Sequence, residues 1–448
     1  MKQSQWRSYL WLATAAVFLL FSNGRWVIPL AACSLLFFLP FVADRLIAHR
    51  VRGILATLVF PLAWTTTEFV FSFFGFGTWG ALAYTQYGNL PLVQIVSITG
   101  ISGLGFLIAW FASVINWVWE QEFRWPNIRH GICLYFGILG GVLLLGGARL
   151  ALFRPESNTV RVATITTRRD LGSPDRDIFY RLYAKQANGE SLQTFDPMRV
   201  YDDFLRCSKE AARFGAKIIL WPEYAVPVPK EKEAASIERG CQLARDEKIY
   251  LMMALYAVPL DFPEQPWENK VVVIGPTGSL EFMYLKSNPA PGEPMVLGDR
   301  KIRVLNTPYG KISTAICFDM YFPSLIRQAG KAGVDLMFPS TKGWRKITPQ
   351  LTYSATFRAI ENGFSLVDCV NDGLSIAVDY HGRAVATANY FTSNEQVMIA
   401  DVPMKGVTTI YSQIGDLFAW CCIISLVVLL LWVVVVRRIL EYRDTPSK

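Results

Sequence analysis

Histidine is scarce in this sequence, with three residues among 448. A cysteine nucleophile usually depends on a histidine base, and His381 is the one histidine in the polar part of the chain. It falls in a predicted hairpin turn, a position that is usually exposed. A Cys-His pair is therefore disfavoured. A metal site is also disfavoured, because no Cys-x-x-Cys pair is present to supply further ligands.

The eight cysteines do not indicate a disulfide framework. Four of them lie in hydrophobic runs, which leaves Cys207, Cys241, Cys317 and Cys369 in the polar part. A bridge between Cys207 and Cys241 remains open, although buried free thiols are the commoner arrangement. Internal repeats and low-complexity tracts are also lacking, so two domains suffice to account for the chain.

Long hydrophobic runs, by contrast, are abundant. A bilayer crossing needs about 20 mainly apolar residues, and six runs approach that length: residues 10–21, 27–42, 54–73, 93–117, 132–150 and 417–436. Residues 22–25 lack a small-residue cleavage site, so the first run is expected to stay as an anchor rather than be removed as a signal peptide. The sequence therefore predicts a multi-pass membrane protein.

Basic residues flank these runs on one side. Short cytoplasmic loops carry the excess of positive charge, and the basic flanks are Lys2 with Arg7, residues 45–52, residues 124–129 and residues 437–448. Five N-terminal crossings then place residues 153–413 on the extracytoplasmic side. Most of the formal net charge of +8 lies in these flanks. It therefore reflects membrane topology and does not indicate a nucleic-acid partner.

The pattern divides the chain into transmembrane helices over residues 1–152, an extracytoplasmic domain over 153–413, a last transmembrane helix over 414–436 and a cytoplasmic tail over 437–448. In the extracytoplasmic part, strand-like and helical runs alternate. The strands are predicted at 160–166, 217–220, 250–255, 270–274, 302–305, 311–315, 334–338, 363–369, 375–379 and 384–388, and the helices at 201–214, 231–247 and 348–361. This alternation predicts a layered α/β sandwich.

Three chemically active residues follow predicted strands. Glu223 ends the run 218–222, Lys286 ends 280–285 and Cys317 ends 312–316. Strand ends in α/β sheets are places where distant segments converge. In place of histidine, a carboxylate can act as the base while a lysine stabilises a thiolate or an oxyanion. Taken singly, each residue is more often a capping, solvated or core residue, but the ordered combination indicates a Glu-Lys-Cys acyl-transfer site.

Two parts of the chain resemble known families. The segments Trp221-Pro222-Glu223, Lys286 and Ile316-Cys317-Phe318-Asp319 resemble the nitrilase or carbon–nitrogen hydrolase superfamily, whose α-β-β-α sandwich carries a Glu-Lys-Cys triad in this order. The hydrophobic part is similar to the region before the catalytic domain of apolipoprotein N-acyltransferases, at Trp64, Glu68, Trp79, Tyr84 and residues 100–105. The resemblance predicts an α/β fold: a nitrilase-like sandwich fused to a transmembrane helical domain in a bacterial inner membrane.

The resemblance implies a two-step acyl transfer. Cys317 would take a fatty acyl group from a phospholipid as a thioester, and the amine of a diacylglyceryl-cysteine lipoprotein would then accept that group. Glu223 is expected to be the general base and Lys286 to stabilise the oxyanion, while Glu293 would support the lysine and the substrate. The resemblance implies no metal and no organic cofactor.

Three residues of the hydrophobic part are candidates for substrate contacts. Glu68 lies within a hydrophobic run, where an ionisable group either has a function or pairs with a neighbouring helix. Trp79 and Tyr84 either line a lipid entrance or belong to an interfacial aromatic belt.

Three residues of the polar part match the family as well. Trp344 matches a family tryptophan, although residues 340–343 lack the Asn-Asp that usually precedes it. Arg358 and Glu361 match an Arg-Ala-x-Glu segment, and we expect them to form a structural ion pair on a helix.

Two alternatives of other classes remain open. One is a membrane-anchored amidase that uses the same triad with water as the acceptor, which Asp319 favours because soluble amidases resemble this chain at that position. The other is a lipid- or lipoprotein-binding relative without turnover, which the intact triad disfavours.

Overall fold

The computed structural model of the protein describes residues 27–51, 53–155, 158–167, 197–259, 265–393 and 397–443. Apolar helices form its N-terminal part and its C-terminal end. Their bounds are Val27–Ile47 (α1), Val59–Phe71 (α2), Leu90–Val93 (α3), Val96–Glu120 (α4), Trp125–Leu152 (α5) and, at the C-terminal end, Leu417–Arg443. A 3₁₀ segment before α2 and a π-helical turn after it extend that helix to Gly53–Phe76.

Four helical segments of the described residues are long and apolar enough to cross a membrane: Gly53–Phe76, Val96–Glu120, Trp125–Leu152 and Leu417–Val435. Each covers most of a hydrophobic run predicted from the sequence, and α1 covers the predicted run 27–42. The predicted run 10–21 lies outside the described residues. Large apolar side chains on these helices are exposed, among them Leu144, Leu145 and Trp432. Such surfaces are stable in lipid and costly in water, so the chain is a membrane protein.

Two β-sheets form the centre of the α/β part. Their strands are β1 Thr159–Ile165, β2 Ile218–Leu220, β3 Val226–Pro229, β4 Tyr250–Val258, β5 Glu268–Ile274, β6 Leu280–Leu285, β7 Leu305–Thr307, β8 Gly310–Ile316, β9 Leu336–Lys342, β10 Ser365–Asn371, β11 Leu374–Val378, β12 Ala384–Asn389 and β13 Val397–Pro403. The first sheet has the order β13-β1-β2-β4-β5-β6 with β3 beside β4, and the second has the order β12-β11-β10-β9-β8-β7.

Helices cover the outer faces of both sheets. Their bounds are α6 Pro197–Arg213, α7 Glu233–Glu247, α8 Pro323–Lys331, α9 Thr348–Asn362 and α10 Ile410–Ile414. Helices α6 and α7 pack on the first sheet, and α9 packs on the second with α8 beside it. Branched and aromatic side chains such as Ile219, Phe338 and Val367 fill the space between the sheets. The predicted α-β-β-α sandwich is therefore confirmed.

Some elements differ from the prediction. The predicted strand 302–305 is largely irregular, because the Ile302 N–H donates to the Gln328 side chain and the Arg303 carbonyl accepts from Ser313. The strands β3 and β13 and the helix α8 were not predicted. Strand β13 pairs antiparallel with β1, more than 200 residues earlier, with Thr159 opposite Pro403, and a local sequence pattern does not report such a distant partner.

The hairpin turn predicted at His381 joins β11 to β12, but its predicted exposure is wrong. His381 is fully buried. Its Nε2 lies 2.5 Å from the Phe153 carbonyl oxygen just after α5, and its Nδ1 lies 3.3 Å from Gln94 Oε1. The turn is buried because it packs against the membrane helices, and turn residues alone do not reveal what covers them.

Helix α9 joins the sandwich to the membrane helices. It packs against the second sheet and also against α4. Phe357 and Ile360 share an apolar cluster with Val96 and Leu104 of α4. The sandwich is thus packed directly on the apolar helices.

Candidate active site

Three strand ends bring the predicted triad residues together. Glu223 lies three residues after β2, Lys286 directly after β6 and Cys317 directly after β8. Glu223 and Lys286 are buried, and Cys317 is partly exposed. Since buried charges are stable only with partners, the contacts of these groups define the site.

Lys286 is held between two carboxylates. Its Nζ lies 2.8 Å from Glu223 Oε1 and 2.8 Å from Glu293 Oε2. Burial alone would lower the pKa of Lys286, but the charges of Glu223 and Glu293 raise that pKa well above its ordinary value. The lysine is therefore an ammonium group, as a residue that stabilises negative charge must be. Tyr224 extends the contact, since its hydroxyl donates to Glu293 Oε1 at 3.1 Å.

Cys317 stands at a sharp turn from β8 into a 3₁₀ helix, Cys317–Tyr321. Its φ is +44°, a left-handed conformation that costs a residue other than glycine about 1–3 kcal/mol. Turns of this kind present a nucleophile above a sheet. The Cys317 thiol donates to the Lys342 carbonyl, with 3.7 Å between the atoms, and the Lys342 N–H donates to Glu223 Oε2 at 3.1 Å. The backbone of Lys342 therefore contacts both the thiol and the carboxylate.

The electrostatics of the site keep the thiol protonated. Burial raises the pKa of Cys317 well above its ordinary value, and the negative charge of Glu223 raises it further, while Lys286 opposes both effects. A neutral thiol attacks a carbonyl carbon only if a base removes its proton. The arrangement can therefore perform base-assisted nucleophilic chemistry.

Two residues that support the triad were not identified as site residues from the sequence. The Asn269 side chain donates to Glu223 Oε1 at 2.7 Å from within β5. Asp319, fully buried, accepts from the backbone and side-chain N–H groups of Asn288 at 2.8 and 2.9 Å and from the Tyr284 hydroxyl at 2.8 Å. Asp319 thus holds the segment that carries Lys286. No local signal marked Asn269, which stands between Glu268 and Lys270 just before the predicted strand 270–274.

A cavity of about 510 Å³ lies beside the site, between the membrane helices and the catalytic part. Its lining includes Phe69 and Phe73 near the end of α2, Trp79 in the following loop, Asn288 after Lys286, and Phe322. The Phe322 ring lies 5.6 Å from the ring of Phe318, the residue after Cys317. Glu223, Lys286, Glu293 and Cys317 are not among the lining residues. The cavity therefore adjoins the segments that follow Lys286 and Cys317, at Asn288 and Phe322, and does not include the triad itself.

The other predicted site residues occupy different places. Glu68 lines the cavity and its Oε1 accepts from the Leu82 N–H at 2.8 Å. Tyr84 does not line the cavity; its hydroxyl lies 2.7 Å from Thr78 Oγ1 and accepts from Arg358. Trp344 is 56% exposed, in the loop between β9 and α9. The structure thus places Glu293 in contact with Lys286 of the triad, Glu68 and Trp79 on the lining of the cavity, and Trp344 at the surface.

The predicted ion pair between Arg358 and Glu361 is confirmed, since Arg358 Nη1 lies 2.7 Å from Glu361 Oε2. Within the described residues, no cluster of histidine, cysteine and acidic side chains is arranged to hold a metal ion. Cys207 and Cys241 are both buried free thiols, so the bridge between them does not form.

Two family models match the chain. The carbon–nitrogen hydrolase model matches residues 184–411, and the model of the apolipoprotein N-acyltransferase N-terminal domain matches residues 4–114. The first covers the sandwich from α6 to β13, without β1, and includes the triad, and the second covers the first part of the membrane helices.

Two apolipoprotein N-acyltransferases agree with these models, and one solved structure is also similar to the chain. An apolipoprotein N-acyltransferase of Geobacter metallireducens is 29% identical over 433 residues, which cover 89% of this chain and 79% of the relative. One from Shewanella oneidensis is 24% identical, and the matched region covers 80% of this chain and 70% of the relative. An amidase from Nesterenkonia sp. of known structure is 22% identical, with a TM-score of 0.45 over 58% of this chain and 95% of the amidase. The chain therefore belongs to the carbon–nitrogen hydrolase family and, within it, to the membrane-embedded group of N-acyltransferase enzymes.

Proposed function

We propose that the protein transfers a fatty acyl group from a phospholipid, through a thioester on Cys317, to the N-terminal amine of a diacylglyceryl-cysteine lipoprotein. The observation that carries this proposal is the buried cluster of Lys286 with two carboxylates beside Cys317, in a sandwich that packs directly on apolar helices. The N-acyltransferase relatives, which match most of the chain, support the same reaction. We also propose that the sandwich lies outside a bacterial inner membrane, on the side opposite the basic loops.

In the first step, Glu223 takes the proton of the Cys317 thiol, and the sulfur attacks the ester carbonyl of the phospholipid. The carbonyl oxygen becomes negative, and Lys286 stabilises it. Two N–H groups of its ammonium contact carboxylates, and the third is the one that we assign to the oxyanion. The C–O bond then breaks, and the leaving lysophospholipid oxygen takes the proton from Glu223. The product is an acyl thioester on Cys317.

In the second step, the free amine of the acceptor attacks the thioester carbonyl. Glu223 takes a proton from the amine nitrogen, the C–S bond breaks, and the thiolate recovers its proton from Glu223. An amide forms and the thiol is regenerated. Glu293 keeps Lys286 in place during both steps, since its Oε2 contacts the ammonium and also accepts from the Ala290 N–H at 2.8 Å.

The test is intact-mass spectrometry of the full chain in detergent after incubation with phospholipid. A mass gain of one fatty acyl group that hydroxylamine removes is expected for the unmodified protein and is expected to be absent from Cys317→Ala. Cys241→Ala is the matched control, because that thiol is buried in α7 away from the triad. It should retain the adduct.

Two results would speak against the proposal. No acyl adduct with any phospholipid, while Cys317 still reacts with a small electrophile, would contradict the transferase and favour an amidase that uses water. Rapid release of free fatty acid from the adduct, without transfer to an added amine peptide, would favour hydrolysis as well.

A further inference from the structure

Helix α4 is broken near its N-terminus, and a residue of the sandwich caps the break. Gly100 has φ +66° and ψ −176°, so the regular backbone is interrupted there. The next N–H group, that of Ile101, donates to Glu361 Oε1 at 2.8 Å. A Cβ at Gly100 would lie 2.5 Å from the Tyr411 ring, so the position requires glycine. Helix α9 thus supplies the cap for a membrane helix, a role that a local Ser, Thr, Asp or Asn usually has.

The capping carboxylate is half of a fully buried ion pair. The Arg358 and Glu361 side chains are both fully buried, and their charged atoms approach to 2.7 Å. Burying two charges costs several kcal/mol each, and an apolar pair of similar volume is often no less stable. Stability alone therefore does not account for this pair. Its contacts with two other segments do: Glu361 accepts from Ile101, and Arg358 donates to Tyr84.

On its other side, the ion pair leads to the turn that carries Cys317. Arg358 Nη2 donates to the Tyr84 hydroxyl at 3.3 Å, and the Tyr84 hydroxyl lies 2.7 Å from Thr78 Oγ1. Thr78 Oγ1 donates to the Tyr321 carbonyl at 3.0 Å. A carbonyl can only accept, so the single hydroxyl hydrogen of Thr78 goes to Tyr321. Tyr84, which accepts from Arg358, therefore donates to Thr78.

The loop that contains Thr78 fits closely on this turn. The Thr78 N–H also donates to the Tyr321 carbonyl, at 2.7 Å. A Cβ at Gly77 would lie 2.3 Å from the same carbonyl oxygen. The Trp79 ring lies 5.1 Å from the Tyr321 ring and 5.9 Å from the Phe318 ring. The loop, which follows membrane helix α2, is therefore fixed to the residues that follow Cys317.

We propose that Arg358 and Glu361 are a positioning pair, which couples the break in membrane helix α4 to the turn that carries Cys317. The pair does not touch the reacting atoms. It aligns the membrane helices, where an acyl chain is held, with the thiol that receives it. The consequence for acyl transfer rests on the proposed function, whereas the mechanical coupling does not.

Hydrogen exchange tests the coupling without any substrate. In the full chain in detergent, the double variant Arg358→Met with Glu361→Gln removes both charges but keeps an oxygen for the Ile101 N–H. The amide of Thr78 and those of the 3₁₀ turn after Cys317 are expected to exchange about tenfold faster, which corresponds to about 1.4 kcal/mol.

The control removes an exposed ion pair between β1 and β13 by Arg161→Met with Asp401→Asn. It should leave the exchange of these amides unchanged. Unchanged exchange in the Arg358 and Glu361 variant would overturn the proposal.

Two reaction rates of Cys317 then separate positioning from general damage. Tyr84→Phe removes one hydroxyl from the chain and leaves both charges in place, so it is expected to fold even if the double variant does not. We expect acylation from phospholipid to slow about tenfold and alkylation by iodoacetamide, a small soluble reagent, to stay within about twofold. Equal losses of both rates, or no loss of either, would overturn the inference. If the unmodified protein is not acylated at all, the proposed function fails, and hydrogen exchange alone decides the coupling.

Discussion

The side-chain amide of Asn269 donates a hydrogen bond of 2.7 Å to Glu223 Oε1, the same carboxylate oxygen that Lys286 contacts. One oxygen of the proposed base is thus held by two donors, and its second oxygen accepts from the Lys342 backbone. These three donors fix the orientation of the Glu223 carboxylate, and a general base needs a fixed orientation to accept a proton.

Asn269→Leu is expected to reduce the rate of Cys317 acylation about tenfold to a hundredfold, because the carboxylate loses one of its donors and its orientation. The binding of phospholipid should change little. Single-turnover acylation over a range of phospholipid concentrations separates the two effects. Asn306→Leu, at an exposed position in β7, is the control. A rate equal to that of the unmodified protein would contradict the role of Asn269.

Glu223→Gln is expected to change the two reactions of Cys317 in opposite directions. The carboxylate raises the pKa of the thiol and Lys286 lowers it, so removing the negative charge lowers that pKa and increases the thiolate fraction at a given pH. Alkylation by iodoacetamide should therefore become faster at about pH 8, whereas acylation should fall at least about a hundredfold without its base. The measurement is the alkylation rate as a function of pH.

In the unmodified protein, the alkylation rate should still rise above about pH 9, because the pKa of the thiol lies well above the ordinary value of cysteine. A plateau below about pH 8 would show a stable thiolate and contradict this assignment. Glu210→Gln, on the exposed face of α6, should leave the pH profile unchanged.

Asp319→Ala is expected to lower the free energy of unfolding by about 2–4 kcal/mol, because the buried N–H groups of Asn288 lose their acceptor. Asp319→Asn keeps one oxygen acceptor and should lose less. Thermal unfolding in detergent, with Asp202→Ala as an exposed control, measures the difference. If both substitutions at Asp319 leave the melting temperature unchanged, the carboxylate does not hold the segment that carries Lys286.

Gly77→Ala and Gly80→Ala form a matched pair at positive φ, +56° and +75°. A Cβ at Gly77 would lie 2.3 Å from the Tyr321 carbonyl oxygen, whereas nothing lies within 4 Å of one at Gly80. Gly77→Ala should reduce Cys317 acylation at least about tenfold because it pushes the loop away from the nucleophile turn, and Gly80→Ala should add only the backbone strain common to both, about 1 kcal/mol. Equal activity of the two variants would contradict the close fit at Gly77.

The sequence alone predicted the features that depend on local pattern. Hydrophobic length marked the helices at Gly53–Phe76 and Leu417–Val435, because a bilayer crossing needs a continuous apolar run. Alternating runs predicted most strands, and their ends located Glu223, Lys286 and Cys317. The type of residue at a strand end can be read from the sequence, so the three residues of the triad could be predicted without knowledge of the fold.

What the sequence could not reveal depends on contacts between distant segments. His381 is buried only because α5 and α3 pack on its turn. Asn269 belongs to the site only because β5 lies beside β6, which precedes Lys286, and one strand away from β2, which precedes Glu223. The link from Ile101 through Glu361 and Arg358 joins residues separated by about 260 positions. Each of these contacts is set by how helices and sheets pack together. Local composition therefore determined which chemical groups the chain carries, and only the tertiary structure decided which of them meet.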